Sequence, residues 1–156
     1  MRTLLKSFVY AFRGIARAVK SERNMRIHLT AAVYVTAFSL FYEFSKAEYV
    51  LLILTFSSVM SCEMINTAIE KTVDICSPRY SKAAELAKDV SAGAVLVAAI
   101  FAVITGIILF GDIAVIKSIF EYYRSHISAL GGLVLSLAAA ALFIFYPFKK
   151  NVKEGK

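Results

Sequence analysis

Apolar residues along this chain first recur at helical spacing and then close up into long runs. In residues 3–20, Leu4, Leu5, Phe8, Phe12, Ile15 and Val19 share one face, with Lys6, Arg13, Arg17 and Lys20 on the other. That pattern predicts a basic amphipathic helix lying in the plane of a membrane surface. A polar knot follows at residues 21–28, where Ser21 or Asn24 could cap a new helix. On local pattern alone, Glu22 pairs with Arg23 or Arg26 as a solvated ion pair, and His28 is a boundary residue. The apolar run Leu29–Phe41 predicts a first span near 27–43, and the run from Ala47 to Ile69 a second near 47–70. A polar loop holding Ser77 and Pro78 predicts a turn. A helix starting around Ser81 then carries Glu85, Lys88 and Asp89 into a third span, 90–110. Gly111–Asp112 breaks it, residues 113–125 are again amphipathic, and a fourth run near 127–148 leads to a basic tail. The pattern predicts an all-α integral membrane protein. Residues 1–110 form an N-terminal surface helix and a three-helix transmembrane core. Residues 111–156 form an extension with a C-terminal amphipathic helix and a fourth transmembrane helix.

Composition supports this reading and then orients it. The 156 residues are 59% apolar, with a mean hydropathy of +0.68, too apolar for a soluble domain of this size. Trp is absent, but 8 Tyr and 12 Phe can supply interfacial aromatics. A net charge of +7 raises the question of nucleic acid. The basic residues, however, cluster at the edges of the apolar runs, which suits lipid headgroups and polyphosphates and argues against nucleic acid as a partner. Cys62 and Cys76 predict no disulfide framework and no metal set, and the N-terminus lacks the pattern of a cleavable signal. Lys and Arg number seven before the first run, one and two in the first and third connections, and four each in the second connection and the tail. Alternating sides puts fifteen on one face against three on the other. The expectation is a multi-pass cell-membrane protein with both termini and the loop 71–89 cytoplasmic.

The chemistry concentrates at the end of the second run. Glu63, Asn66, Glu70 and Asp74 follow at steps of three and four, hence on one helical stripe. A charge at a bilayer centre costs about 2.5–3.5 kcal/mol, so such a stripe implies a cation or a water-filled site beside it. Several carboxylates and a carboxamide make a hard-oxygen set suited to Mg²⁺, which takes one or two protein carboxylates and leaves other positions to water and phosphates. A nearby lysine can act as a point charge on those phosphates. A carboxylate free of metal can take a proton from an alcohol. Together these parts suggest phosphoryl transfer to a hydroxyl, although neither a G-x-x-x-x-G-K-[ST] loop nor a kinase Gly-rich loop is present. Intramembrane carboxylates equally mark ion or proton pathways, and the residues alone leave the two readings at even odds.

The motif from Glu63 to Glu70, then Asp74, then Ala87-Lys88-Asp89 and the patch Ser91–Ala94, resembles the prokaryotic diacylglycerol kinase family of small integral membrane lipid kinases. The resemblance covers about residues 3–110. Ser21–Asn24, His28 and Asn66–Glu70 look closer to the undecaprenol kinases of Gram-positive bacteria. The resemblance implies a homotrimer of three-span subunits, with active sites shared between neighbours at the membrane edge. It implies Glu63 as general base and Glu22 and Glu70 as Mg²⁺ ligands. Asn66, Lys88 and Asp89 would hold nucleotide phosphates or order the site. Tyr10 and the loop Arg79, Tyr80 and Ser81 would meet ATP, and Glu22 and Glu70 count with the nucleotide site as well. Arg13, Asn24 and His28 fall where the lipid enters. The family's early nucleotide-contacting arginine has no clear counterpart near Thr3, so Arg2 or Lys6 would serve. The expected activity is ATP- and Mg²⁺-dependent phosphorylation of a membrane lipid alcohol, undecaprenol first. Diacylglycerol is the alternative substrate and an ion or proton conductor the outside alternative. The fourth span lies beyond the family core, and Asp74 is expected to be a helix-end residue or part of the site.

Overall fold

The computed structural model describes residues 2–146, with side chains from Leu4 onward. The basic tail from Pro147, the end of the expected fourth span and the side chain of Arg2 lie outside the described residues. Six helices run through the described part, with no strand among them: α1 (Arg2–Ser21), α2 (Arg23–Ser39), α3 (Lys46–Cys76), α4 (Lys82–Phe110), α5 (Ile113–Ser125) and α6 (Ile127–Phe145). The protein is an all-α integral membrane protein, and α3, α4 and α6 are long and apolar enough to cross a membrane. Its surface fits that solvent. Large apolar side chains such as Leu96, Phe101, Ile108, Leu135 and Leu142 are exposed, as they are when lipid replaces water outside.

Each helix begins and ends for local reasons. Helix α3 starts at a capping box. The Ser45 hydroxyl accepts from the Glu48 N–H at 3.3 Å, and the Glu48 carboxylate accepts from the Ser45 N–H at 2.7 Å. Helix α5 starts at Asp112, whose carboxylate accepts from the N–H groups of Ala114 and Val115. Gly111 is needed between α4 and α5, because a Cβ there would lie 2.7 Å from the Ile107 carbonyl oxygen. Helix α2 is as long as the expected span near 27–43, at 17 residues, but is set four residues earlier. It stops at Ser39, whose hydroxyl donates back to the Thr36 carbonyl. The chain then tightens into three-residue turns from Leu40 to Tyr42. At 17 residues α2 measures about 25 Å, against a hydrocarbon thickness of about 30 Å.

The α3–α4 hairpin is the spine of the molecule, and its two helices pack along each other. Its buried apolar contacts come from Leu52 and Val59 on α3 and from Val95 and Leu109 on α4. Helix α2 packs beside α3, with Met25 fully buried at its start, and α1 rests on both. Rings close the far end: Tyr42 and Phe44 against Phe110, with centroids 4.9 and 5.2 Å apart. Phe38 and Phe41 pack against Tyr122 and Tyr123 of α5, and α6 returns alongside α2. With 31 residues, α3 is about 46 Å long, so one end overhangs the hydrocarbon. Twenty residues counted from Ala47 reach Asn66, and the acidic stripe lies at and beyond that point.

Candidate active site

Helical periodicity delivers the stripe, and burial then divides it. Glu63 is 3% exposed and Asn66 is also buried; Glu70 is half-buried and Asp74 exposed. The Asn66 amide donates to the Glu70 carboxylate at 3.0 Å, the step of four placing one above the other. Its carbonyl oxygen accepts from the Ser91 hydroxyl of α4 at 2.6 Å. Asn66 is therefore fixed from both sides, and its amide nitrogen is directed at Glu70. One turn further out, Lys88 and Asp74 form an ion pair at 2.5 Å. Two polar ties thus pin the loop end of the hairpin.

The α1–α2 turn brings the third side of the site. Glu22 sits in extended backbone between the two helices as the residue capping α2. From there Glu22 and Glu70 both act electrostatically on Glu63, and the Asn24 side chain hydrogen-bonds to it. The Glu63 Oε2 atom is buried and has no hydrogen-bond partner among the described residues. Buried polar atoms in native proteins almost always have a partner, so this oxygen marks where the site meets something else. Glu22, Glu63 and Glu70 come from two segments far apart in sequence. They converge because α1 and α2 both pack on α3.

The other expected residues are placed as follows. Tyr10 and Arg13 are exposed on α1, and Asp89 is exposed on α4. His28 is half-buried on α2, one turn beyond Asn24. Arg79 and Tyr80 are exposed in the loop between α3 and α4, and Ser81 is the capping position of α4. The Tyr80 hydroxyl donates to Glu85 at 2.5 Å, which, with slight burial, raises the phenol above its ordinary pKa. The geometry thus gathers Glu22, Asn24, Glu63, Asn66 and Glu70. It gives Lys88 to Asp74 and leaves Tyr10, Arg13, Arg79, Tyr80 and Asp89 exposed on the surface. Two residues went unassigned in the sequence pattern. Ser91 was visible only as part of a small-residue patch. Arg26 reads as a surface partner for Glu22, yet it is 6% exposed with its guanidinium on backbone carbonyls. Among the described residues no group of three or more His, Cys, Asp or Glu is arranged to hold a metal by itself.

The family profile described as prokaryotic diacylglycerol kinase matches residues 9–110, which contain every member of this cluster. The chain belongs to the prokaryotic diacylglycerol kinase family. It is 38% identical over 110 residues to the undecaprenol kinase of Bacillus subtilis, covering 70% of this chain and 89% of that one. It is 47% identical over 105 residues to a diacylglycerol kinase of Synechocystis, covering 66% of this chain and 59% of that one. It is 33% identical over 106 residues to the diacylglycerol kinase of Escherichia coli K12, covering 68% and 87%. As a member of the prokaryotic diacylglycerol kinase family the protein is a lipid kinase, so its acidic stripe belongs to an enzyme and the ion-conductor reading is set aside. Helices α5 and α6 lie beyond the matched residues.

Proposed function

We propose that this lipid kinase moves the γ-phosphoryl group of ATP to the hydroxyl of undecaprenol at the cytoplasmic edge of the membrane. The observation that carries the proposal is Glu63: buried, faced by Glu22, Asn24 and Glu70, with one carboxylate oxygen unpartnered. A carboxylate so placed is the base that takes the proton as the lipid oxygen attacks phosphorus. The donor set also fits Mg²⁺. Glu22 and Glu70, both acting on Glu63, would be its hard-oxygen ligands, and two protein carboxylates are what Mg²⁺ ordinarily takes when phosphates fill its other positions. When bound, the ion neutralises phosphate charge. Asn66, anchored by Ser91, orients the Glu70 carboxylate. Lys88 leaves Asp74 for the phosphates, with Asp89 beside it. Tyr10, Arg79, Tyr80 and Ser81 are the residues that would meet the adenosine. Arg13, Asn24 and His28 would meet the lipid. The fifteen-to-three distribution of Lys and Arg supports cytoplasmic termini and a cytoplasmic site. The thin core of one chain, with six buried apolar residues among those described, is in keeping with assembly as a homotrimer.

The undecaprenol reading rests on similarity along nearly the whole length of the Bacillus relative. Diacylglycerol is the second reading, favoured by the higher identity to the Synechocystis relative. The deciding experiment is phosphorylation in detergent micelles with Mg²⁺-ATP and the two lipids side by side. The expected result is a higher kcat/KM for undecaprenol. A preference for diacylglycerol replaces the substrate, and no product from either lipid removes the proposal.

A further inference from the structure

The segment beyond the family match reaches back to the catalytic cluster through one side chain. Arg26 is buried at the start of α2, between the C-terminal ends of two other helices. Its Nη1 donates to the carbonyls of Val19 and Lys20 at 3.2 and 3.1 Å, in the last turn of α1. Its Nε and Nη2 donate to the carbonyl of Ile144 at 3.1 and 3.0 Å, one residue from the end of α6. The last carbonyls of a helix have no partner within it and carry the negative end of its dipole. A guanidinium is the one side chain whose planar fork can serve two such ends together. The contact follows from the packing. Eight residues on along α2, Tyr34 donates to Ser136, which lies eight residues back along α6. The two helices therefore run antiparallel in one register over about 12 Å.

Glu22 follows the end of α1 that Arg26 holds, as the residue between α1 and α2. The Glu22 N–H donates to the Ala18 carbonyl at 2.9 Å, and the Glu22 carbonyl accepts from the Arg26 N–H at 3.4 Å. Both the backbone and the side chain of Arg26 thus close the turn that presents Glu22 and Asn24 to Glu63. We propose that Arg26 is a positioning residue through which α6 holds the α1–α2 turn against the catalytic cluster. A helix outside the kinase core then sets how well Glu22 is aimed. The idea rests on the proposed roles of Glu22 and Glu63, and its test is chosen to stand apart from them.

The test uses the full chain in micelles and two variants. One is Arg26→Gln. The other lengthens the alanine run Ala138–Ala141 by one alanine, which turns the last residues of α6 by about 100° and moves the Ile144 carbonyl off the guanidinium. Amide hydrogen exchange in the peptide spanning residues 18–26 is read first, because it needs no activity. Both variants are expected to raise exchange there at least fivefold, with exchange in the α3–α4 hairpin unchanged. In the kinase assay both are expected to lower kcat at least fivefold, with KM for lipid within twofold. Combining them is expected to cost no more than the worse of the two, as for residues acting through one contact. Tyr34→Phe, which removes only the distant hydroxyl bond, is expected to stay within twofold of the parent. Unchanged exchange in the α6 variant, multiplying losses, or an equal loss in Tyr34→Phe each overturns the coupling. A parent chain inactive on every lipid alcohol removes the kinase roles while the exchange result still decides the coupling.

Discussion

At residue scale, the cluster contrasts side chains whose polar atoms are all used with one that is not. Asn66 is satisfied on both sides by Glu70 and Ser91, whereas Glu63 keeps a buried oxygen unpartnered. The two therefore respond differently to near-isosteric change. Glu63→Gln keeps the shape and removes the proposed base, so lipid phosphorylation should fall by about 10²–10⁴-fold. The melting temperature should hold or rise, since a neutral amide costs less to bury than a carboxylate. A combined activity assay and thermal melt checks both halves, and full activity in the variant would remove the base assignment. Ser91→Ala does the reverse. It strips the donor from a buried carbonyl oxygen, and the expected loss is about 1–3 kcal/mol of stability, measured by denaturant titration. Asp74→Asn breaks a pair whose side chains are 40% and 54% exposed on Lys88 and Asp74 respectively. Such pairs contribute about 0–1 kcal/mol, so stability should hardly move.

At element scale, the starts of α3 to α6 agree between sequence and structure to within a residue, for a local reason, whereas the cap expected of Ser21 or Asn24 falls to Glu22, whose side chain makes no capping bond. The capping residues Ser45 and Asp112 sit beside their helices in sequence, so their hydrogen bonds need no tertiary partner. Ser45→Ala should therefore cost about 1 kcal/mol and leave kcat unchanged well below the melting temperature; a thermal melt beside an assay shows whether the two separate. The stripe was legible for the same reason, since steps of three and four fix a shared face whatever packs against it. The end of α2 was not. The apolar run continues to Phe41, but the helix gives way at Ser39, where a side-chain bond to Thr36 competes with the next helical turn. Arg26 was misread for a different reason. It sits in the mostly polar stretch 21–28, which suggests a solvated knot. Its partner at Ile144 is 118 positions away and is a backbone carbonyl, which leaves no mark on residue type. Ser91 fell between these cases, its small size visible and its bond to Asn66 across the hairpin not.

At the scale of the whole molecule, the proposed mechanism works only if the site faces the side where ATP and Mg²⁺ are held. The length of α3 and the basic residues bear on this independently. The helix is longer than the hydrocarbon is thick, and the stretch 71–89, from the end of α3 into the start of α4, carries four of the eighteen Lys and Arg. A native thiol reports the outcome. Cys76 is exposed at the last residue of α3, beyond the acidic stripe, whereas Cys62 is half-buried and precedes Glu63 inside the span. Thiols react as thiolates, which form in water and not in hydrocarbon. A membrane-impermeant maleimide should therefore label Cys76 quickly in inside-out vesicles and hardly at all in sealed right-side-out ones. Cys62 should lag in both, and Cys62→Ser should leave the pattern intact. Rapid labelling from the outer face alone would put the carboxylates on the side without nucleotide. Orientation and kinase site would then be incompatible, and the charge count, as the less direct of the two, would be the argument to abandon.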